Sequence, residues 1–240
     1  MSIADNIKRL QDRIADACAR ASRDPAAITL VAVSKQRTVA DIVSAVDAGI
    51  QHIGENRVEE CSAKYAPVEA ALPGQLTWHM VGHVQSRKAK QVIQLFDIVQ
   101  SLDSLRLARR YSRLAGENAR PLKVLLEINI SGEASKHGFA GYNWYQEPAV
   151  KERLWRELGE LLELPHLDIR GLMTMAPFQA EECVIRRVFA DLANLRAELQ
   201  SSLGISLPEL SMGMTDDFEL AIAEGATMIR VGRAIFGGRN

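Results

Sequence analysis

Residues Ile28–Ser34 read ITLVAVS, and Lys35 follows them directly. A run this short, apolar on both faces and rich in β-branched side chains has the character of a parallel strand covered on both sides. Upstream, Ile3, Ile7, Leu10, Ile14 and Cys18 recur at spacings of three and four, which predicts an amphipathic helix ahead of this first strand. Downstream, Val39, Ile42, Val43 and Val46 form a second helical stripe, and Gly49 marks its end.

The same alternation runs to the C-terminus. Further strands are expected at Gln51–Gly54, Thr77–Val81, Asp97–Ser101, Leu122–Ile130, Asp168–Met173, Glu209–Ser211 and Thr227–Val231. Helices are expected near 56–70, 84–94, 104–117, 149–162, 181–202 and 216–224, with stripes such as Val188, Leu192, Leu195 and Leu199. Repeated βα units imply a parallel sheet, and about eight of them favour a closed (β/α)8 TIM barrel with an extra N-terminal helix over a doubly wound sheet. No linker, low-complexity tract or repeat divides residues 1–240, so one domain is expected. Gly138–Pro148, GFAGYNWYQEP, is the one long irregular stretch, expected to be an elaborated loop on the face where barrel sites lie.

Composition narrows the function. With 29 basic and 30 acidic side chains the formal net charge is −1, so no global field attracts nucleic acid or an acidic membrane. No uncharged apolar run approaches the roughly 20 residues of a membrane helix. The charged N-terminus has no secretory h-region. Cys18, Cys61 and Cys183 are odd in number and widely spaced, which argues for a reducing compartment and a cytoplasmic protein. Cys18 and Cys183 fall on apolar helical stripes and are expected to be small buried hydrophobes.

In a barrel, the C-terminal ends of the strands converge on one mouth. That rule selects Lys35, Glu55 and Asn56, His79, Asn129, Met173 to Met175, Ser211 to Thr215, Arg230 and Gly232. Lys35 has a short tether and a partly desolvated position. Desolvation disfavours the ammonium and frees the neutral amine that Schiff-base formation needs. A lysine that only begins a surface loop is the plain alternative. In SMGMT (Ser211–Thr215), Gly213 admits close backbone approach and the hydroxyls offer donors. Gly232 follows the last strand, where free N–H groups face an anion in many barrels, unless these glycines serve only as turns. Asp216 and Asp217 suit the next helix start and are expected to be caps, since they would repel a phosphate. A lysine facing a phosphate cradle suits an aldehyde-bearing phosphate ester, either pyridoxal 5′-phosphate (PLP) or a phosphosugar aldolase substrate. Arg230 near a pyridine nitrogen would keep it unprotonated and weaken the ring as an electron sink; a structural ion pair is the alternative. His79 and His83 read H-x-x-x-H, but on a strand that spacing does not align two ligands, so no metal site is expected there. Ser86, Arg87, Lys88 and Lys90 read as a solvated basic helix start. There is no G-x-G-x-x-G or Walker loop and no Cys–His nucleophilic pair.

Six segments in order, LVAVSK (30–35), IGENRVEE (53–60), WHMVGHVQSRKAK (78–90), INISGEASKHGF (128–139), GLMTMAP (171–177) and SMGMTDDFELAIAEGATMIRVGRAIFG (211–237), resemble the YggS/PROSC family of PLP homeostasis proteins along nearly the whole chain. The resemblance implies a barrel similar to the N-terminal domain of alanine racemase, a fold type III PLP protein, with PLP in Schiff-base linkage to Lys35. It implies Asn56 beside the ring, Ser211 with backbone around Met212, Gly213 and Gly232 on the phosphate, and Arg230 facing the ring nitrogen. His79, with Trp78, Gln85 and Met173, would line or support the pocket, and Lys136 is a candidate second PLP contact. It implies a monomer that buffers PLP or delivers it to PLP-dependent apo-enzymes without catalytic residues of its own. An amino-acid racemase is the alternative, but the racemases take a second acid/base from an added C-terminal domain, for which a chain ending at Asn240 leaves no room. Arg37 stands where the family often has a lysine, Arg57 where an aromatic is common, and the 138–148 loop is long.

Overall fold

The computed structural model describes residues 2–238, so Met1, Arg239 and Asn240 lie outside it. Helix α1 (Ile3–Arg20) comes first, followed by β1 (Thr29–Val33), α2 (Val39–Asp47), β2 (His52–Glu55), α3 (Val58–Ala71), β3 (Thr77–Met80), α4 (Ala89–Leu95), β4 (Ile98–Leu102) and α5 (Leu105–Glu117). Then come β5 (Leu122–Asn129), β6 (Phe139–Ala140), α6 (Pro148–Leu162), β7 (Leu167–Met173), α7 (Glu182–Leu203), β8 (Glu209–Ser211), α8 (Phe218–Ala223), β9 (Met228–Val231) and α9 (Arg233–Phe236). Every strand pairing is parallel. Because β4 also pairs with β5, and β1 with β9, eight strands close into a barrel. The two-residue β6 is appended to β5 outside the ring.

All eight barrel strands lie within a residue or two of their expected positions. The helices begin where local chemistry starts them. Ser2 with Asp5, and Thr38 with Asp41, form reciprocal capping boxes, and Ser104 caps α5 through Leu107 N–H. Three starts differ from expectation. Helix α3 begins at Val58 rather than 56. The 84–94 helix opens as a 3₁₀ turn at Ser86–Lys88 before α4, and α8 starts at Phe218.

The last helix, α9, is a single turn and is too short to cover the seam between β9 and β1. α1 supplies that cover. It packs against α2, α8 and α9, burying Ile7, Leu10, Ile14, Ala17 and Cys18, each large aliphatic contributing about 1.5–3 kcal/mol. Asn6 donates to Ile235 O at 2.8 Å, Arg23 to Ile222 O at 2.7 Å, and Arg13 pairs with Glu219 at 2.5 Å. The extra N-terminal helix therefore closes the outer layer.

The 138–148 segment is less irregular than its composition indicates. β6 ties it to β5, and Trp144 is buried against Trp155 with its ring N–H toward Asp191 O. Cys183 corrects an expectation: it is exposed on the first turn of α7, whereas Cys18 and Cys61 are buried. The helical stripe that contained Cys183 engages the barrel only from Val188 onward.

Candidate functional site

Strand parity fixes which residues enter the barrel. Val31 and Val33 face the interior, where both touch the space beside Gly54, and Val31 packs with Leu125, Met173 and Met228. Two residues beyond the end of β1, Lys35 is half-buried in the turn that follows the strand. Ser34, between them, faces α3. Its hydroxyl donates to Glu55 Oε1 at 2.6 Å, and Lys64 bridges Glu55 and the Ser34 carbonyl, the latter at 2.9 Å. This buried knot clamps the backbone one residue before Lys35. Burial pushes the Glu55 carboxyl above its usual range against the pull of Lys64 and Ser34. Gln36 holds a left-handed φ of 58°, with its N–H on Glu60 Oε2 at 2.9 Å, so the turn after Lys35 is also fixed.

Registers place the neighbours. Val33 pairs with Gly54, which carries Asn56 alongside Lys35, and Ala32 pairs with Val231, which carries Gly232 beside Val33. A side chain on Gly232 would sit 3.1 Å from Val33 O; at Gly213, φ is 91° and a Cβ would meet that of Ala221 at 2.6 Å. Among the described residues, the N–H groups of Gly213 and Gly232 have no hydrogen-bond acceptor. They are two free donors at the ends of β8 and β9. Met212 adds none, since its N–H goes to Met228 O at 3.1 Å.

Arg230 is buried below them and donates to Thr174 O at 2.9 Å and to Ser211 Oγ at 2.5 Å. Burial lowers its pKa to about 10, with Asp217 and Glu127 opposing, so it stays cationic at neutral pH. Ser211 Oγ–H donates to Gln100 Oε1 at 2.7 Å, Gln100 Nε2 meets His79 Nδ1 at 2.9 Å, and His79 Nε2 meets His52 Nδ1 at 3.0 Å. His79 is fully buried, and burial with His52 nearby lowers its pKa to about 3, which makes it a neutral link. It lies two hydrogen bonds beneath Ser211 and does not open on the mouth. Glu127, inward on β5, is buried and pushed up to about 7, by burial and then by Asp103, against Arg230 and His83.

Other expected residues lie elsewhere. Trp78 faces outward onto Tyr65 of α3, and Gln85 is exposed at the rim. Asp216 does not cap a helix but pairs with Arg233 at 2.5 Å, while Asp217 reaches back to Met214 N–H at 2.5 Å and fixes the SMGMT turn. Arg37 ties down the chain end through Gly237 O at 2.6 Å and Gly238 O at 2.8 Å. Lys136 is part-buried, bonded to Ser131 Oγ at 3.1 Å and Met175 O at 3.0 Å. Sequence reasoning missed Gln100 and Glu127. Gln100 stands near the C-terminal end of β4, where the strand-end rule that selected the others would have found it.

Fold and mouth together define a parallel α/β barrel of the kind described as the alanine racemase N-terminal domain, whose family model matches residues 2–240. Alanine racemase of Clostridium difficile 630 shares that fold at 14% identity, with a TM-score of 0.74 over 98% of this chain and 57% of the racemase. The pyridoxal phosphate homeostasis protein of Pseudomonas aeruginosa is 41% identical over 100% of this chain and 96% of its own length. PipY of Synechococcus elongatus PCC7942, solved with PLP bound, is 39% identical at a TM-score of 0.81, covering 98% of this chain and 100% of PipY. The chain belongs to the pyridoxal phosphate homeostasis protein family.

Proposed function

We propose that this chain binds PLP covalently through Nζ of Lys35 and holds it for exchange or delivery to PLP-dependent apo-enzymes, without catalytic turnover. The observation that carries this reading is the pair of unsatisfied N–H donors on Gly213, whose φ of 91° favours glycine, and Gly232, at the ends of β8 and β9 on the same side of the mouth as the half-buried lysine that follows β1. Free backbone donors at strand ends are what a phosphate dianion requires. The PLP-bound relative and the family name point the same way.

In this reading Lys35 provides the nucleophilic amine and Asn56 lies beside the ring. Gly213 and Gly232 donate to the phosphate, and Met212 sets the turn. Ser211 joins them by rotating its hydroxyl off Gln100. Arg230 faces the ring nitrogen and disfavours its protonation, while His79, through Gln100, fixes Ser211 from below. Val31, Leu125, Met173 and Met228 form an apolar floor. When bound, PLP supplies an electrophilic aldehyde on a ring whose unprotonated nitrogen makes it a poor electron sink. That favours storage over turnover. The protein is read as a cytoplasmic monomer with reduced cysteines. Among the described residues, no helix is long and apolar enough to cross a membrane.

The test is the absorption spectrum of the protein as isolated. A violet band that survives dialysis is expected, and Lys35→Ala removes it. An unchanged band in that variant overturns the assignment. Sustained inversion of D- or L-alanine by the natural chain overturns the carrier reading and leaves the binding site intact.

A further inference from the structure

The loops after β3, β4 and β5 bring together three side chains that the proposed cofactor site does not use. His83 Nδ1 lies 2.7 Å from Asp103 Oδ2, and the His83 and His137 rings stack at 3.8 Å between centroids, 14° apart in plane. One ligand atom from each of His83, Asp103 and His137 lies within 4.8 Å of the others. The three reach this point from separate strands, so the fold, not one flexible loop, assembles them.

The surroundings hold the ligands in place. Ser104 Oγ donates to the second Asp103 oxygen at 3.0 Å, and the Asp103 side chain is only 8% exposed. Ser101 Oγ donates to Gly82 O at 2.7 Å, fixing the backbone just before His83. Gly82 itself packs so tightly that any side chain there would collide with the Asn56 carbonyl, which leaves this turn little freedom to shift. Lys136, beside His137, pairs with Glu133 and bonds to Met175 O at 3.0 Å, so its charge is already compensated. The three ligands stand on the wall of an open cavity of about 430 Å³.

Two imidazole nitrogens and one carboxylate oxygen are the donor set of borderline divalent cations. We propose that His83, Asp103 and His137 form a three-ligand site for such a cation, zinc being the representative, with one position open to water or an anion. Zinc–ligand distances of about 2.0–2.2 Å require the three atoms to draw together by roughly 1 Å, which exposed imidazoles accomplish by side-chain rotation. Sequence spacing pairs His83 with His79; the fold separates them and gives His83 different partners. The site does not depend on Lys35.

The experiment titrates chelator-stripped full-length protein with zinc against a chromophoric competitor, and with cobalt, whose visible absorption reports its coordination. One equivalent per chain is expected, with a cobalt spectrum of low coordination number. His137→Ala and His83→Ala each weaken zinc binding by at least about tenfold, since loss of even a hydrogen-bond partner behind a ligand costs that much, whereas His166→Gln and Lys35→Ala leave it unchanged. His137 is exposed, so its variant stays folded and carries the test alone if the other is unstable. Absence of stoichiometric binding, or equal affinity in the natural chain and the His83→Ala/His137→Ala double variant, overturns the proposal.

Discussion

The two halves of the barrel mouth are built differently. The half formed by β8, β9, β1 and β2 is closed and pre-arranged: Ser34, Glu55, Lys64, Ser211 and Arg230 are all buried, and two glycines are held where a side chain would clash or strain. The half formed by β3, β4 and β5 is open. His83 and His137 are exposed, and Lys136 is held by hydrogen bonds to Ser131 Oγ and Met175 O. A fixed half suits an anion whose geometry does not vary, because donors already in position spend no ordering entropy on binding. An open half leaves room for exchange.

The sharpest way to break this contrast is to cut the knot behind Lys35. Lys64→Met leaves Glu55 buried without its cation, and one Glu55 oxygen already lacks a hydrogen-bond partner among the described residues. Removing one member of a buried pair costs about 3–5 kcal/mol, which lowers Tm by roughly 10 °C for a chain of this size. Calorimetry on cofactor-free protein measures it, and a shift below about 2 °C would show that the knot is not what makes this half rigid.

Glu127 lies between the halves, on β5 but within reach of Arg230's field. Its folded pKa of about 7 stands above the ordinary 4.5, so the native state holds this proton more tightly than the unfolded chain does. Stability therefore falls as pH rises from 4.5 through 7. Glu127→Gln removes that fall and gains up to about 3 kcal/mol relative to the natural chain above neutrality, with the gain vanishing in acid. Urea unfolding on either side of that window, in mild acid and in mild base, reads the difference. Parallel pH dependence in the two proteins would place Glu127 in a more solvated setting than its burial indicates.

Why one half was legible in the sequence and the other was not follows from where the information lies. ITLVAVSK, SMGMT and the IRVG strand end are local signals: strand parity, glycine geometry and a terminal lysine can be read from consecutive residues. The barrel strands were legible because short apolar or mixed runs recur at regular intervals between helical stripes, not because each is strongly apolar, as His52–Glu55 and Glu209–Ser211 show. The strand-end rule can point to positions such as Gln100, but the partner of Gln100 lies 111 residues away at Ser211, and no local pattern announces that pairing or the field that Arg230 sets at Glu127. Cys183 misled because a helical stripe gives the period of burial and not the turn at which a long helix first meets the barrel. Asp216 and Asp217 misled because a carboxylate before a helix has the same composition signature whether it caps forward or, like Asp217, reaches back to the preceding turn.

The smallest expected effect tests the open half from the other side. His137 is exposed, and the ring it stacks on, His83, is itself 40% exposed. A surface substitution away from buried networks changes stability little, so His137→Ala is expected to move the Tm of metal-free protein by less than about 2 °C. With zinc at saturating concentration the natural chain gains stability by mass action, because only the folded state gathers the three ligands, and the variant loses most of that gain. A large loss of Tm without metal would mean that the open half is packed as firmly as the closed one. The contrast between the halves would then reduce to a difference in polarity alone.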